Sequence, residues 1–129
     1  MKLGLNKNQT IRSLFRIYPF KKGRWRLMTF AEKCLDRKTM VLDDFFGSYI
    51  FHFDLSNRDL ESSFYYFMPE AYEFDTQRYI KEFVRPGMTV FDIGAHYGLF
   101  TILLAHCAGP NGRVFSFEPE EYNFLRLKK

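Results

Sequence analysis

Two carboxylates and two glycines stand at a spacing that can do chemistry. Asp92 closes a short apolar run, Met88 to Ile93, and is followed by Gly94, Ala95, His96, Tyr97 and Gly98. Glu118 comes twenty-four residues after Gly94, at the end of a second short run, Arg113 to Phe117. A glycine directly after a strand lets the chain turn sharply and leaves room for a ligand against the backbone. A carboxylate at the end of the next strand is placed to accept hydrogen bonds from both hydroxyls of a ribose.

The same string argues against a phosphate. A dinucleotide fingerprint, Gly-x-Gly-x-x-Gly, would need glycine at 96 and 99, where His96 and Leu99 stand. The second of those glycines exists so that the backbone can approach a pyrophosphate. The phosphate-binding pattern GxxxxGK[ST] is absent as well. An acid at the strand end suits a cationic ligand, and S-adenosylmethionine offers a ribose, an ammonium and a sulfonium without any phosphate. Elsewhere His52 and His106 stand singly, and Cys34 and Cys107 lie far apart. No His/Cys/Asp cluster has metal spacing, so no metal is expected and both thiols are read as reduced.

These residues need a strand, a turn, a helix and a second strand to position them. Residues 88–93 form an almost continuous apolar run after Pro86-Gly87, as a buried parallel strand requires. Leu99, Ile102 and Leu103 predict a helix from about 97 to 107, which Gly109 to Gly112 end. Residues 113–118 make the next strand, and Glu120 to Lys129 start another helix. The whole is a βαβ unit, which places Asp92 and Glu118 on one edge. In this reading Gly98 allows close packing of the helix on the strand.

Upstream the patterns are looser. Ile11, Leu14, Phe15 and Tyr18 keep helical spacing, as do Trp25, Met28, Ala31, Cys34 and Leu35. Tyr49 to Leu55 alternate with a period of two, as in a strand, and Ser63 to Met68 read as a second strand. Asp75 or Thr76 is placed to cap a helix carrying Tyr79, Ile80, Phe83 and Val84. The expected organisation is therefore a basic helical region (1–47), a strand and helix lead-in (48–85) and a βαβ domain (86–129).

Charge is distributed unevenly. Residues 1–40 hold eleven Lys/Arg against two acids, a net of +9, whereas residues 41–84 hold three against nine. The basic block could meet an anionic membrane surface or simply be a solvated face that pairs with the acidic block. Its aromatic residues fit helix faces rather than a stacking platform, so no nucleic acid is expected. No stretch approaches the roughly 20 apolar residues of a membrane span. Residues 1–10 have no apolar signal-peptide core, which makes a cytoplasmic location the expectation.

The segment PGMTVFDIGAHYGLFTILLA and the later GPNGRVFSFEPEEYNFLRLKK resemble the FkbM-type methyltransferases, a branch of the Rossmann-like class I methyltransferases. That family shows D-x-G-A-N-x-G after a strand, then G-P-x-G, a strand and F-E-P. Asp92, Gly94, Ala95, Gly98, Gly109, Pro110, Gly112, Phe117, Glu118 and Pro119 match, and His96 departs from the usual Asn. Close resemblance covers residues 86–125 and a looser one reaches back to about 48, including the pair Tyr72-Glu73.

The resemblance implies an α/β fold, the start of a doubly wound sheet, behind an α+β N-terminal region. It implies S-adenosylmethionine as cofactor and a small-molecule or glycan hydroxyl, on a sugar, polyketide or similar metabolite, as methyl acceptor. Asp92, Gly94 and His96 would line its methionine and ribose side, with Ala95, Tyr97 and Gly98 shaping the turn. Glu118 would hold the ribose, and Thr101 would either reach the methionine carboxylate or serve packing. No residue stands out as general base, and the seven-stranded family sheet implies that these residues are an incomplete catalytic domain, inactive alone. The alternatives are a non-catalytic α/β interaction module derived from such an enzyme and, less compatible with His96 and Leu99, a nicotinamide-dependent oxidoreductase.

Overall fold

Glycine and apolar punctuation set most of the element boundaries seen in the computed structural model, which describes residues 7–18, 22–35, 39–45, 49–54 and 60–128. The elements are α1 (Lys7–Arg16), α2 (Arg24–Cys34), β1 (Thr39–Phe45), β2 (Tyr49–Asp54), α3 (Leu60–Phe67), a 3-10 turn (Pro69–Ala71), α4 (Phe74–Phe83), β3 (Thr89–Ile93), α5 (Leu99–Ala108), β4 (Arg113–Phe117) and α6 (Glu121–Leu127). The fold is mixed α/β. β1 pairs with β2 and β3 with β4, in two separate two-stranded sheets. Two compact units emerge, one of residues Met1–Val41 with His52–Tyr72, the other of Leu42–Phe51 with Glu73–Lys129.

In the first unit the apolar stripes of α1 and α2 meet α3. Phe15, Met28, Ala31, Leu35, Tyr65, Tyr66 and Phe67 are its buried apolar side chains. Phe15 packs on Phe67 with ring centroids 4.9 Å apart, and Tyr65 meets Tyr72 edge-on at 4.5 Å. The Arg12 guanidinium donates to the Tyr66 carbonyl at 2.7 Å, tying α1 to α3 across fifty-four residues. Arg16 faces Glu70 in an exposed pair at 3.4 Å, which contributes little on its own.

Two expectations are corrected in the chain's first half. Residues 63–68 were expected as a strand, but α3 is a helix ending at Phe67, with the Met68 N–H donating to the Phe64 carbonyl at 2.8 Å. An unbroken aromatic run carries no periodicity, and burial of the consecutive Tyr65, Tyr66 and Phe67 breaks the alternation of a strand with one covered face. The region to residue 47, expected as helical, contains β1. β2 matches the alternating stretch, while Leu55 lies outside the described residues.

The second unit is built on a parallel pair. Thr89 stands opposite Arg113, Phe91 opposite Phe115, Asp92 opposite Ser116 and Ile93 opposite Phe117. α5 covers the face that carries Asp92 and Ser116, burying Leu99, Leu103, Leu104 and Ala108. Phe91, Ile93, Phe115 and Phe117 point the other way and are exposed. The α5–β4 connection must be glycine at 112, since a Cβ there would lie 2.5 Å from the Ala108 carbonyl oxygen. Glu73 occupies the N-cap position of α4 without a side-chain capping hydrogen bond, and Asp75 and Thr76, expected there, lie inside the first turn. Its buried residue is Gln77, while Tyr79 and Phe83 stack on each other in solvent. Among the described residues no helix is long and apolar enough to cross a membrane.

Candidate functional site

The site residues gather where β3 and β4 both end. The Gly94 and Ala95 N–H groups both donate to the Phe117 carbonyl, at 2.9 and 3.0 Å, so the chain leaves β3 while still held to the last residue of β4. Three residues then take left-handed backbone: Gly94 (φ 81°), His96 (φ 51°) and Gly98 (φ 87°). Two of them are glycines, for which this region carries no Cβ penalty. His96 is the third, and histidine is among the few side chains enriched there.

Glu118 closes the turn from the other strand. Its Oε2 accepts from the His96 N–H at 2.7 Å and its Oε1 from the Glu120 N–H at 3.0 Å. Those bonds, the Glu120 N–H foremost and the His96 N–H next, hold the carboxyl below the usual carboxylate range. Glu118 is therefore an anion anchored on two amides, and each oxygen retains acceptor capacity for a further donor. Glu120 in turn caps α6, accepting from the Asn123 N–H at 2.7 Å.

Asp92 and Thr101 are brought together, but under α5. The Thr101 hydroxyl donates to Asp92 Oδ2 at 2.5 Å and lies 2.9 Å from the Ser116 hydroxyl. Asp92 is 8% exposed. The three side chains form a polar brace between helix and sheet, with the buried carboxylate satisfied as burial demands. Of the two roles posed for Thr101, the structure shows the hydroxyl engaged within this brace.

Around Gly94 the space is open: a Cβ there would meet nothing within 4 Å. Gly98 is different. Its left-handed backbone favours glycine, and a Cβ there would lie 2.7 Å from Leu127 Cδ1 of α6, whose side-chain end would have to move, rather than against the strand as expected. α6 reaches the turn a second time through Arg126. Its guanidinium lies 4.5 Å from the Tyr97 ring centroid and 5.2 Å from that of Tyr122. Tyr97 also meets the His96 ring at a tilt of 46°, with centroids 3.8 Å apart. Sequence reasoning missed Tyr122, Arg126 and Leu127. The i, i+4 spacing of Tyr122 and Arg126 was the one available signal.

The turn offers a ligand two features: open backbone space at Gly94 and a carboxylate held by two amides at Glu118. Ala95 is buried and supports the turn from below. A hollow of about 620 Å³ lies elsewhere, along α5 and β4 between Thr101, Ala105, Pro110 and Val114. Of the site residues only Thr101 borders it. Among the described residues no group of three or more His, Cys, Asp or Glu could hold a metal ion. Comparison with protein-family models, curated proteins and solved structures finds no match to this chain.

Proposed function

We propose that residues 86–128 are the start of the cofactor-binding domain of an S-adenosylmethionine-dependent O-methyltransferase of FkbM type, with a Rossmann-like sheet. The observation that carries this reading is the Glu118 carboxylate, anchored on the His96 and Glu120 amides at the carboxyl end of two parallel strands. Open α/β sheets take ligands at that edge. Glu118 accepts from the ribose hydroxyls, and the backbone at Gly94 leaves room for the methionine side. Asp92, Thr101 and Ser116 keep β3 and α5 in register beneath the turn. His96 supplies an amide to Glu118 and a ring above Tyr97. The cofactor supplies an electrophilic methyl group on a sulfonium. The chain's part in the transfer is binding and orientation, which alone can contribute several kcal/mol to a displacement. The acceptor is a hydroxyl on a small molecule or glycan.

A second reading, an α/β interaction module, draws on the exposed Phe91, Ile93, Phe115 and Phe117. Titration of the demethylated cofactor into the isotopically labelled chain separates the two. With only Gly94–Gly98 and Glu118 as contacts, affinity is expected on the order of 1 mM. Amide shifts should be confined to residues 94–98 and 118–120. Glu118→Ala removes a charge-assisted acceptor and should weaken binding roughly 10- to 100-fold. Equal shifts with NADH, or none at saturating ligand, defeat the methyltransferase reading.

A further inference from the structure

The basic N-terminal block is the feature that the proposed function leaves unused. Three of its arginines have tasks inside the first unit: Arg12 donates to the Tyr66 carbonyl, Arg24 to the Tyr18 carbonyl, and Arg16 faces Glu70. Lys22, Arg26 and Lys33 are exposed instead. Arg26 and Lys33 share the outer face of α2 with Phe30, at i, i+4 and i+7, and Lys22 stands just before the first turn. Phe30 is 66% exposed in the midst of these cations.

Helix energetics do not account for this pattern. α2 has no acidic residue in its first turn, where a cation opposes the helix dipole. Arg26 sits there all the same. Phe30 faces water although Met28 and Ala31 on the other side already supply the helix's buried contacts. The end of α1 and the turn after it repeat the pattern, with Leu14 60% and Ile17 73% exposed on either side of Arg16. Of the acidic side chains described in this unit, Glu70 faces Arg16 and Glu32 is half-buried. The net of +9 over residues 1–40 is therefore presented outward in part, mixed with apolar groups.

Cations interleaved with exposed Phe, Leu and Ile match one partner chemistry best, a lipid surface bearing negative charge. The cations meet the headgroups, and the apolar side chains enter the boundary below them. A nucleic-acid backbone would use the cations and leave Leu14 and Ile17 in water. We infer that the outer face of α2, with Lys22, Arg26, Phe30 and Lys33, together with the Leu14 and Ile17 side chains, is a peripheral docking surface for an anionic membrane. This inference is independent of the methyltransferase reading.

The chain carries its own reporter. Trp25 is the single tryptophan and is 54% exposed at the start of α2. The full 129-residue chain is titrated with vesicles of phosphatidylcholine alone and of phosphatidylcholine with phosphatidylserine, and Trp25 emission is followed alongside co-sedimentation. Binding and a blue shift are expected with the anionic vesicles only, and both should fade at high salt as the charges are screened. The triple variant Lys22→Gln, Arg26→Gln and Lys33→Gln should partition roughly 100-fold less. Phe30→Ser, which leaves the charge untouched, should lose roughly 10-fold. Indifference to phosphatidylserine, or no binding by the wild-type chain, overturns the inference before any variant is made. Full binding by Phe30→Ser, with displacement from the vesicles by duplex DNA or RNA, overturns it in favour of a nucleic-acid surface.

Discussion

The largest aromatic clusters of the two units sit differently with respect to solvent. In the first, Phe15, Tyr65, Tyr66 and Phe67 are at most 3% exposed, with Phe67 packed on Phe15 and Tyr66, and Tyr65 on Tyr72. In the second, Phe91 and Phe115 stack at 5.4 Å yet remain 62% and 45% exposed, on a sheet face that no described element covers. Aromatic content alone thus does not identify a core. Three helices can enclose a cluster, whereas a two-stranded sheet with one helix on it has a single covered face. Charge follows the same division. Arg12 serves packing in the first unit, while Glu118 in the second shapes a turn that faces solvent.

The contrast is broken most directly by truncating one aromatic on each side. Phe67→Ala should destabilise the first unit by about 3–5 kcal/mol, because it empties a fully packed site. Phe91→Ser should cost no more than about 0.5 kcal/mol, as expected for an exposed position. Urea unfolding followed by Trp25 fluorescence, with far-UV circular dichroism for the second unit, measures both. A Phe91→Ser loss as large as that of Phe67→Ala would mean that the sheet face is covered in solution.

Alkaline titration sharpens the comparison next. Burial pushes the Tyr66 phenol up to about 12, partly offset by Arg12. A raised folded value means that the neutral form is the one the fold favours. The stabilisation is complete below the unfolded value of 10.0 and is lost as pH rises from there towards about 12. Absorbance of ionised tyrosine should therefore include a late stage, towards about 12, in which Tyr66 ionises together with loss of the Trp25 signal. A single stage near the ordinary tyrosine value would contradict the burial of Tyr66.

The smaller effects concern the turn. Gly98→Ala forces an alanine into left-handed backbone at about 1–2 kcal/mol, and its methyl group must also displace the end of Leu127. Thermal unfolding gives the cost. Amide shifts reaching Tyr122 and Arg126 would show that α6 is held by this turn, and shifts confined to residues 94–101 would refute it.

Much of the second unit was legible in the sequence. The ends of β3, α5 and β4 fall within a residue or two of expectation because glycine, proline and an apolar run act locally on the backbone. The convergence of Glu118 with the 94–98 turn follows from the same spacing once the strands pair in parallel. At position 96 the structure uses a left-handed backbone and the amide. Asparagine is favoured in that conformation as histidine is, so the departure from the family's Asn leaves the turn's backbone unchanged in kind.

By itself, then, the sequence determined where the chain turns, which segments are apolar and which stretch is basic, since each of these depends on residues within a few positions of one another. Tertiary structure alone decided the rest. Ser63 to Phe67 became helix because α1 and α2 enclose it. Asp92 was drawn under α5 by Thr101 and Ser116, so its carboxylate braces the sheet. Gly98 answers to Leu127, twenty-nine residues away, and Tyr97 to Arg126. Such contacts join elements whose separation in sequence carries no period, and only packing selects which side chains meet.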